Sequence, residues 1–232
     1  MNEKDYFKFR QIDANSYKNF DLPVYLKSVL NDTEKSILDF GCGYGQMLKA
    51  LKSNGFKFIE GADINEDAIK HLRSQGILAN DLNANSNFYS ENAASFDFII
   101  MSHVLEHIPK TEVINHLILL KTLLKPNGAL IVMVPNAQSN TGCYWAYEDF
   151  THNLLFTGGS LYYVLKAAGF SSVDFLDVDC LAGSTGLNKL LRQFFLRLYK
   201  LNYAFWNKIT ASSFHRPSPS IFSYELKAIA RK

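Results

Sequence analysis

The stretch from residue 36 to residue 46 constrains the fold of this chain more than any other part of the sequence. It reads Ser-Ile-Leu-Asp-Phe-Gly-Cys-Gly-Tyr-Gly-Gln, a short apolar run that contains Asp39 and is followed at once by three alternating glycines. Such a run is typical of a strand buried in a parallel sheet, and the apolar-periodic segment that begins at Met47 predicts a helix. A strand, a glycine turn and a helix together bring backbone N–H groups up to a bound ligand.

The spacing of the glycines excludes the dinucleotide fingerprint G-x-G-x-x-G, because Gln46 stands where its third glycine would be. The pattern D-x-G-x-G-x-G after a strand resembles motif I of the class I S-adenosylmethionine-dependent methyltransferases; a glycine turn of another Rossmann-like fold is the alternative. In that family the motif meets the cationic methionine end of the cofactor. The resemblance therefore implies cofactor contacts at Asp39, Gly41, Cys42, Gly43 and Gly45.

Two further acids follow predicted strands. Asp63 ends the second one, 22 residues after Gly41, and a carboxylate at that place suits the paired hydroxyls of a ribose. The resemblance places Asp81 near the adenine amino group, although a turn role is equally compatible with its sequence. It also implies that the cofactor is lined by Ile64, Leu82 and Ser102.

The alternation of strands and helices predicts an α/β fold, a Rossmann-like, doubly wound, seven-stranded sheet. Strands are expected at 37–40, 56–64, 77–79, 96–101, 129–134, 172–179 and 223–231, the last one antiparallel as in the family. Residues 1–35 form an N-terminal helical cap that packs either over the cofactor pocket or on the sheet edge. Residues 36–232 form the methyltransferase domain, with a helical insertion at about 181–220 that ends in the stiff Arg216-Pro-Ser-Pro linker.

Acceptor-side chemistry is expected directly after the fourth strand. If this segment is helical, His103, Glu106 and His107 share one face, which makes a competent half-site for a divalent metal. The run resembles the E-x-x-E-H segment that holds a metal in ubiquinone-pathway and small-RNA O-methyltransferases. Histidine in place of the first glutamate would shift the preference from Mg²⁺ towards Mn²⁺, Fe²⁺ or Zn²⁺, or abolish the site.

His152 is the candidate general base, and His103 and His107 are further catalytic candidates. His152 is also the candidate for a fourth metal ligand. It lies in Asp-Phe-Thr-His (149–152), which, with the following Phe-Thr and Ser-Leu, resembles methyltransferases of sugar and surface-polysaccharide (capsule) biosynthesis. A histidine satisfied by Asp149 is the alternative. His71 and His116 fall inside predicted helices and are interpreted as structural or exposed.

The C-terminal part is basic: residues 187–232 contain nine Lys and Arg and one acid, Glu225, whereas the whole chain has a net charge of +2. Residues 187–209 show a regular helical stripe of apolar side chains. This segment is expected to pack on the body of the protein or on a second subunit as a homodimer, or to lie on an anionic membrane surface. Nucleic-acid contact is the least favoured reading, because no RNA-binding motif is visible.

Together these features predict a cytoplasmic or peripherally membrane-associated S-adenosylmethionine-dependent O-methyltransferase. Three scattered cysteines and the absence of an apolar leader fit a reducing compartment. The expected acceptor is a sugar, nucleotide-sugar or glycan precursor. The alternatives are a quinone-like or other hydroxylated metabolite, or a catalytically silent cofactor-binding subunit.

Overall fold

The computed structural model describes residues 8, 10–13, 16, 20–213 and 221–232. Part of the proposed N-terminal cap, with Tyr6, Phe7, Phe9 and Tyr17, lies outside the described residues, and so does the linker at 216–219. Within the described part, no helix combines the length and the apolar character that a membrane crossing requires.

Seven strands form one mixed sheet in the order β3-β2-β1-β4-β5-β7-β6. Strands β1 to β5 pair in parallel, and β7 runs antiparallel to both β5 and β6. Their bounds are β1 Ser36–Phe40, β2 Phe58–Asp63, β3 Ala79–Asp81, β4 Phe96–Ser102, β5 Leu124–Pro135, β6 Ser172–Phe175 and β7 Glu225–Arg231. The predicted α/β architecture with its antiparallel last strand is confirmed.

Helices pack on both faces of this sheet, because its central strands are apolar on both sides. Leu38 and Ile99 are fully buried on one face of the sheet, and Ile100 is fully buried on the other. The helices are α1 Val24–Val29, α2 Gln46–Ser53, α3 Glu66–Ser74, α4 Phe88–Glu91, α5 Val113–Leu123, α6 Gly142–Glu148, α7 Gly158–Ala167 and α8 Gly186–Ile209, with a short 3₁₀ turn at Leu105–His107.

The parallel strands bring the predicted ligand residues to one edge. Asp39 in β1 pairs with Gly61 in β2, and Asp63 pairs with Asp81 of β3, so three acids lie near the carboxyl ends of neighbouring strands. Strand β4 ends at Ser102, next to this group. Open α/β sheets bind their ligands at this edge.

Two predicted strands are displaced. The third was expected at 77–79 but runs Ala79–Asp81, because Ile77 still closes the end of α3 through its N–H to the carbonyl of Leu72. The sixth was expected to reach residue 179 but ends at Phe175. Asp177 has a positive φ of 42°, and its Oδ1 accepts hydrogen bonds from the N–H groups of Leu181 and Ala182, so the chain turns there.

Candidate functional site

The glycine turn after β1 has the backbone shape that its sequence predicts. Gly41, Gly43 and Gly45 all have positive φ, at 78°, 48° and 77°. The N–H of Gly41 donates to the carbonyl of Ala62, and that of Gly43 donates to Asp63 Oδ2 at 2.8 Å. A Cβ on Gly41 would lie 2.2 Å from Val104 Cγ2, so the turn also needs glycine for the close approach of the chain that follows β4.

Asp39 and Asp63 place two buried carboxyl groups side by side at this end of the site. Asp39 is 3% exposed, and burial together with the nearby charge of Asp63 raises its pKa to about 8. Burial also raises the pKa of Asp63, against the opposing effect of the N–H groups of Asn65 and Gly43. A cation bound here would relieve the cost of burying two carboxylates side by side.

The other predicted cofactor residues lie along the same edge. Asp81 Oδ1 accepts hydrogen bonds from the N–H groups of Asn83 and Ala84, so Asp81 has the turn role. It also pairs with Asp63 at the end of β3, the position from which the adenine contact was predicted. Ile64 is exposed, Leu82 is half-buried against the core, and Ser102 is half-buried at the end of β4. The Cys42 side chain is buried behind the turn, and its thiol lies against Gly61.

The segment after β4 is a sharp turn. The prediction that His103, Glu106 and His107 share one face assumed a continuous helix there, which the structure does not have. His103 has a positive φ of 54°, and only Leu105–His107 form a 3₁₀ turn. This geometry separates the two histidines, which approach Glu106 from different directions.

Glu106, His107 and His152 form a compact group in which one potential ligand atom from each residue lies within 4.8 Å of the others. The Glu106 side chain is 0% exposed, and neither carboxylate oxygen has a hydrogen-bond partner among the described residues. The imidazole rings of His107 and His152 are 4.7 Å apart between centroids. The structure therefore brings His152, from the loop after α6, to the segment after β4, as the sequence suggested.

Each of the two histidines is held by a hydrogen bond at Nδ1. His152 Nδ1 lies 2.7 Å from the carbonyl oxygen of Trp145, which can only accept. Thr151 Oγ1 donates its one proton to Asp149 Oδ1 at 2.6 Å, so it accepts from His107 Nδ1 at 2.8 Å. In the neutral imidazole the Nε2 atom of His152 then carries a lone pair, suited to a proton or to a metal. Burial lowers the pKa of His107. Glu106 works to raise this pKa, and His152 works to lower it further.

His103 lies on the other side of Glu106 and is engaged by two carboxylates. Nδ1 lies 3.3 Å from Glu106 Oε1, and Nε2 lies 3.2 Å from Glu225 Oε2. Burial works to lower the pKa of His103, but the two carboxylates outweigh it and raise the pKa to about 10. A protonated imidazole offers no lone pair, so this geometry favours a charge-balancing role for His103 over the predicted base and ligand roles.

The sequence interpretation gave no role in the site to Glu225 and did not consider Thr151 as a partner of His107. Glu225 begins β7, and Lys227 Nζ from the same strand lies 3.6 Å from its Oε1. The only signal was that Glu225 is the one acid in the basic C-terminal part. Thr151 lies within the Asp-Phe-Thr-His run, but its partner is 44 residues away in sequence.

Comparison with known proteins agrees with this architecture. The model of a family described as methyltransferase domain matches residues 11–174. A methyltransferase structure from Archaeoglobus fulgidus superposes with a TM-score of 0.63 at 22% identity and covers 97% of each chain. The 1,6-didemethyltoxoflavin-N1-methyltransferase of Burkholderia thailandensis superposes with a TM-score of 0.57 at 17% identity, over 98% of this chain and 84% of that one.

A relative by sequence is the ubiquinone biosynthesis O-methyltransferase of Coxiella burnetii, which is 27% identical over 137 residues. The match covers 56% of this chain and 57% of the relative. The chain thus spans only about half the length of the curated relatives that it matches.

Proposed function

Because the chain belongs to the methyltransferase domain family, we propose that it transfers a methyl group from S-adenosylmethionine to a hydroxyl oxygen held near Glu106, His107 and His152. The observation that carries the acceptor side is the fully buried Glu106 carboxylate, which lies between His103 on one side and His107 and His152 on the other. The protonated His103 balances its charge at Oε1, while Oε2 has no hydrogen-bond partner among the described residues. A buried oxygen in that state is stabilised by a bound ligand.

The donor side is supported by the acids at the edge of the sheet. Asp39 and Asp63 suit a ligand that carries positive charge, and the methionine end of S-adenosylmethionine is a cationic sulfonium with an ammonium group. The Burkholderia thailandensis relative has S-adenosylhomocysteine bound, which supports the same donor here. When bound, S-adenosylmethionine supplies an electrophilic methyl carbon, whose bond to sulfur breaks as the acceptor oxygen attacks.

The residues present fit a divalent metal, which Glu106, His107 and His152 would hold. One carboxylate and two imidazoles suit Mn²⁺, Fe²⁺ or Zn²⁺ better than Mg²⁺. A metal bound there would lower the pKa of a coordinated hydroxyl. The chain itself orients both ligating rings, because Thr151 and the Trp145 carbonyl fix their Nδ1–H groups.

If no metal binds, the same atoms support general base catalysis. The Nε2 atom of His152 then accepts the hydroxyl proton, and Glu106, with Oε1 4.0 Å away, stabilises the imidazolium that forms. Exclusion of water favours this transfer, since the His152 side chain is only 7% exposed.

A hydroxylated, quinone-like ring is the acceptor class that the sequence relatives support, since the Coxiella burnetii match is named for ubiquinone biosynthesis. A sugar or nucleotide-sugar acceptor is the second candidate. It is favoured by the exposed aromatic side chains of Tyr144, Tyr147 and Phe150 next to the site, which suit stacking on a sugar face. Adjacent hydroxyls occur on both kinds of acceptor.

The deciding experiment measures metal content and methyl transfer on the same preparations. Wild type, Glu106→Gln, His152→Ala and the control His71→Ala are compared, because His71 lies on α3 beside Tyr44 of the glycine turn and is not part of the Glu106 group. Each is assayed for S-adenosylmethionine binding by calorimetry and for a one-methyl mass gain on catechols and nucleotide-sugars. We expect wild type and His71→Ala to bind metal, and activity to fall about 100-fold or more in the two site variants.

The other outcomes separate the alternatives. Activity that survives a chelator but not His152→Ala assigns the general base role and removes the metal. Cofactor binding without transfer to any acceptor, alone or with a partner protein, indicates a catalytically silent subunit. Unchanged activity in both site variants contradicts the proposed acceptor site.

A further inference from the structure

Helix α8, Gly186–Ile209, exposes its apolar face to solvent instead of burying it. Ten large apolar side chains of the helix are 47–72% exposed, and no residue of the helix is buried. With 3.6 residues per turn they cover an arc of about 160° along the whole helix. They are Leu187, Leu190, Leu191, Phe194, Phe195, Leu198, Leu201, Phe205, Trp206 and Ile209; we call this set the outward face.

The opposite side of α8 fixes this orientation on the body of the protein. Tyr199 Oη donates a hydrogen bond to Asn140 Oδ1 at 2.8 Å, and the ring of Tyr203 packs on that of Phe222 at 4.7 Å. Lys200 forms an ion pair with Asp179 at 2.5 Å. Packing of the apolar stripe as a lid on the protein's own body, one of the sequence expectations, is therefore not what the described residues show.

The charges of α8 all have one sign. The helix contains Lys189, Arg192, Arg197, Lys200 and Lys208 and no acidic residue. Arg197 and Lys208 are exposed and lie along one border of the outward face, and Trp206 lies along the other. An apolar face rich in Phe and Leu with a basic flank is typical of helices that lie in a membrane surface.

We propose that the outward face of α8 binds the surface of a membrane containing anionic lipids, with its apolar side chains inserted among the acyl chains and the bordering cations Arg197 and Lys208 near the headgroups. A second copy of this chain fits less well. A helix-to-helix contact through the outward face would bring Arg197 and Lys208 of both copies to the interface, and neither helix contains a carboxylate to pair with them.

The location of α8 relates this surface to the acceptor site. Asn140, to which Tyr199 is bonded, lies in the loop between β5 and α6, at the ligand-bearing edge of the sheet. Helix α6 carries Trp145, whose carbonyl oxygen holds His152. The membrane surface and the acceptor site thus share one end of the molecule, although membrane binding does not depend on the proposed methyl transfer.

Co-sedimentation of the full chain with vesicles tests the proposal. Vesicles of phosphatidylcholine alone are compared with mixed vesicles of phosphatidylcholine and phosphatidylglycerol. The test variant Phe194→Gln/Leu201→Gln removes two outward side chains that are 57% and 61% exposed. The matched control Phe58→Gln/Leu78→Gln removes two side chains that are 55% and 63% exposed elsewhere on the surface.

We expect binding to the mixed vesicles, weaker binding to phosphatidylcholine alone, and about tenfold or greater loss of binding in the test variant only. Equal loss in the control variant, or no sedimentation of wild type, overturns the proposal. The proposal is also overturned if wild type forms a dimer that the test variant does not form, and vesicles bind neither protein. In that case the outward face binds a second copy of the chain.

Fluorescence provides a readout on the unmodified helix, in case the test variant does not fold. Trp206 is expected to shift to shorter wavelength on addition of the mixed vesicles and to be quenched by brominated lipid. Trp206→Phe should abolish both responses. Quenching that persists in Trp206→Phe would place Trp145, not α8, at the lipid and would contradict the proposal.

Discussion

The ionisation of Asp39 is coupled to folding. Its pKa is raised from 3.8 to about 8, so the folded chain keeps a proton that the unfolded chain releases between these pH values. The stability of wild type should therefore fall relative to Asp39→Asn as pH rises from about 4 to about 8, by up to ~1.4 kcal/mol per pH unit. Urea unfolding of both proteins across this range measures the difference, and a difference that is flat with pH would contradict a buried protonated carboxyl.

Gly41 and Gly76 form a matched pair for testing why the first turn needs glycine. Both have positive φ, 78° and 69°, but a Cβ would meet Val104 at Gly41 and nothing within 4 Å at Gly76. Gly76→Ala should cost only the backbone strain of about 1 kcal/mol. Gly41→Ala should cost about 2–4 kcal/mol and abolish cofactor binding, since the clash adds to the strain.

The double variant Gly41→Ala/Val104→Ala separates the two contributions at that turn. We expect it to recover part of the loss, because the contact of 2.2 Å involves a Val104 methyl group that alanine lacks. Chemical denaturation and calorimetry with S-adenosylmethionine provide the measurements. Equal destabilisation by Gly41→Ala and Gly76→Ala would show that the close approach of Val104 is not limiting.

The donor half of the site was predictable at the level of residues because it is local in sequence. The aspartate and glycines of the first turn are contiguous, and Asp63 follows at the interval set by one helix and one strand. The acceptor half was only partly predictable. Glu225 reaches His103 across 122 residues, through an antiparallel strand whose register no local pattern specifies.

At the scale of elements, helix α7 offers a direct test of a sequence signal. Thr157 and Ser160 form a capping box, in which the Ser160 N–H donates to Thr157 Oγ1 and the Thr157 N–H donates to Ser160 Oγ. Thr157→Ala should destabilise the protein by about 1 kcal/mol, whereas Thr157→Ser should be nearly neutral because it keeps the accepting oxygen. Thermal and urea unfolding measure both, and equal stability of the two variants would show that the cap contributes nothing.

The elements that the sequence mislocated share a physical cause. The apolar residues before β3 still belong to the end of α3, and the apolar run after β6 is interrupted by the turn at Asp177. Short apolar runs do not by themselves separate a strand from the apolar turn that leads into it or follows it. The long helix α8 was predicted almost to the residue, because 24 residues of regular spacing leave no such ambiguity.

At the scale of the whole molecule, the direction of an apolar face was the feature that sequence could not supply. The spacing in α8 predicts an amphipathic helix, but the same spacing fits a helix packed inward or one facing outward. The tyrosines on the far side decide it, since they hold the helix on Phe222 and Asn140. The core of the protein is therefore complete without the outward face.

Two leucine-to-alanine substitutions in helices test whether the outward face contributes to the core. Leu117 on α5 is 0% exposed within the core, and Leu190 on α8 is 63% exposed. Leu117→Ala should cost about 2–5 kcal/mol, because it leaves a cavity, whereas Leu190→Ala should change stability by about 0.5 kcal/mol or less. The two variants make the same change in helix propensity, so urea unfolding isolates the effect of burial. A loss for Leu190→Ala as large as that for Leu117→Ala would place the outward face inside a packed interface and would contradict the surface described for α8.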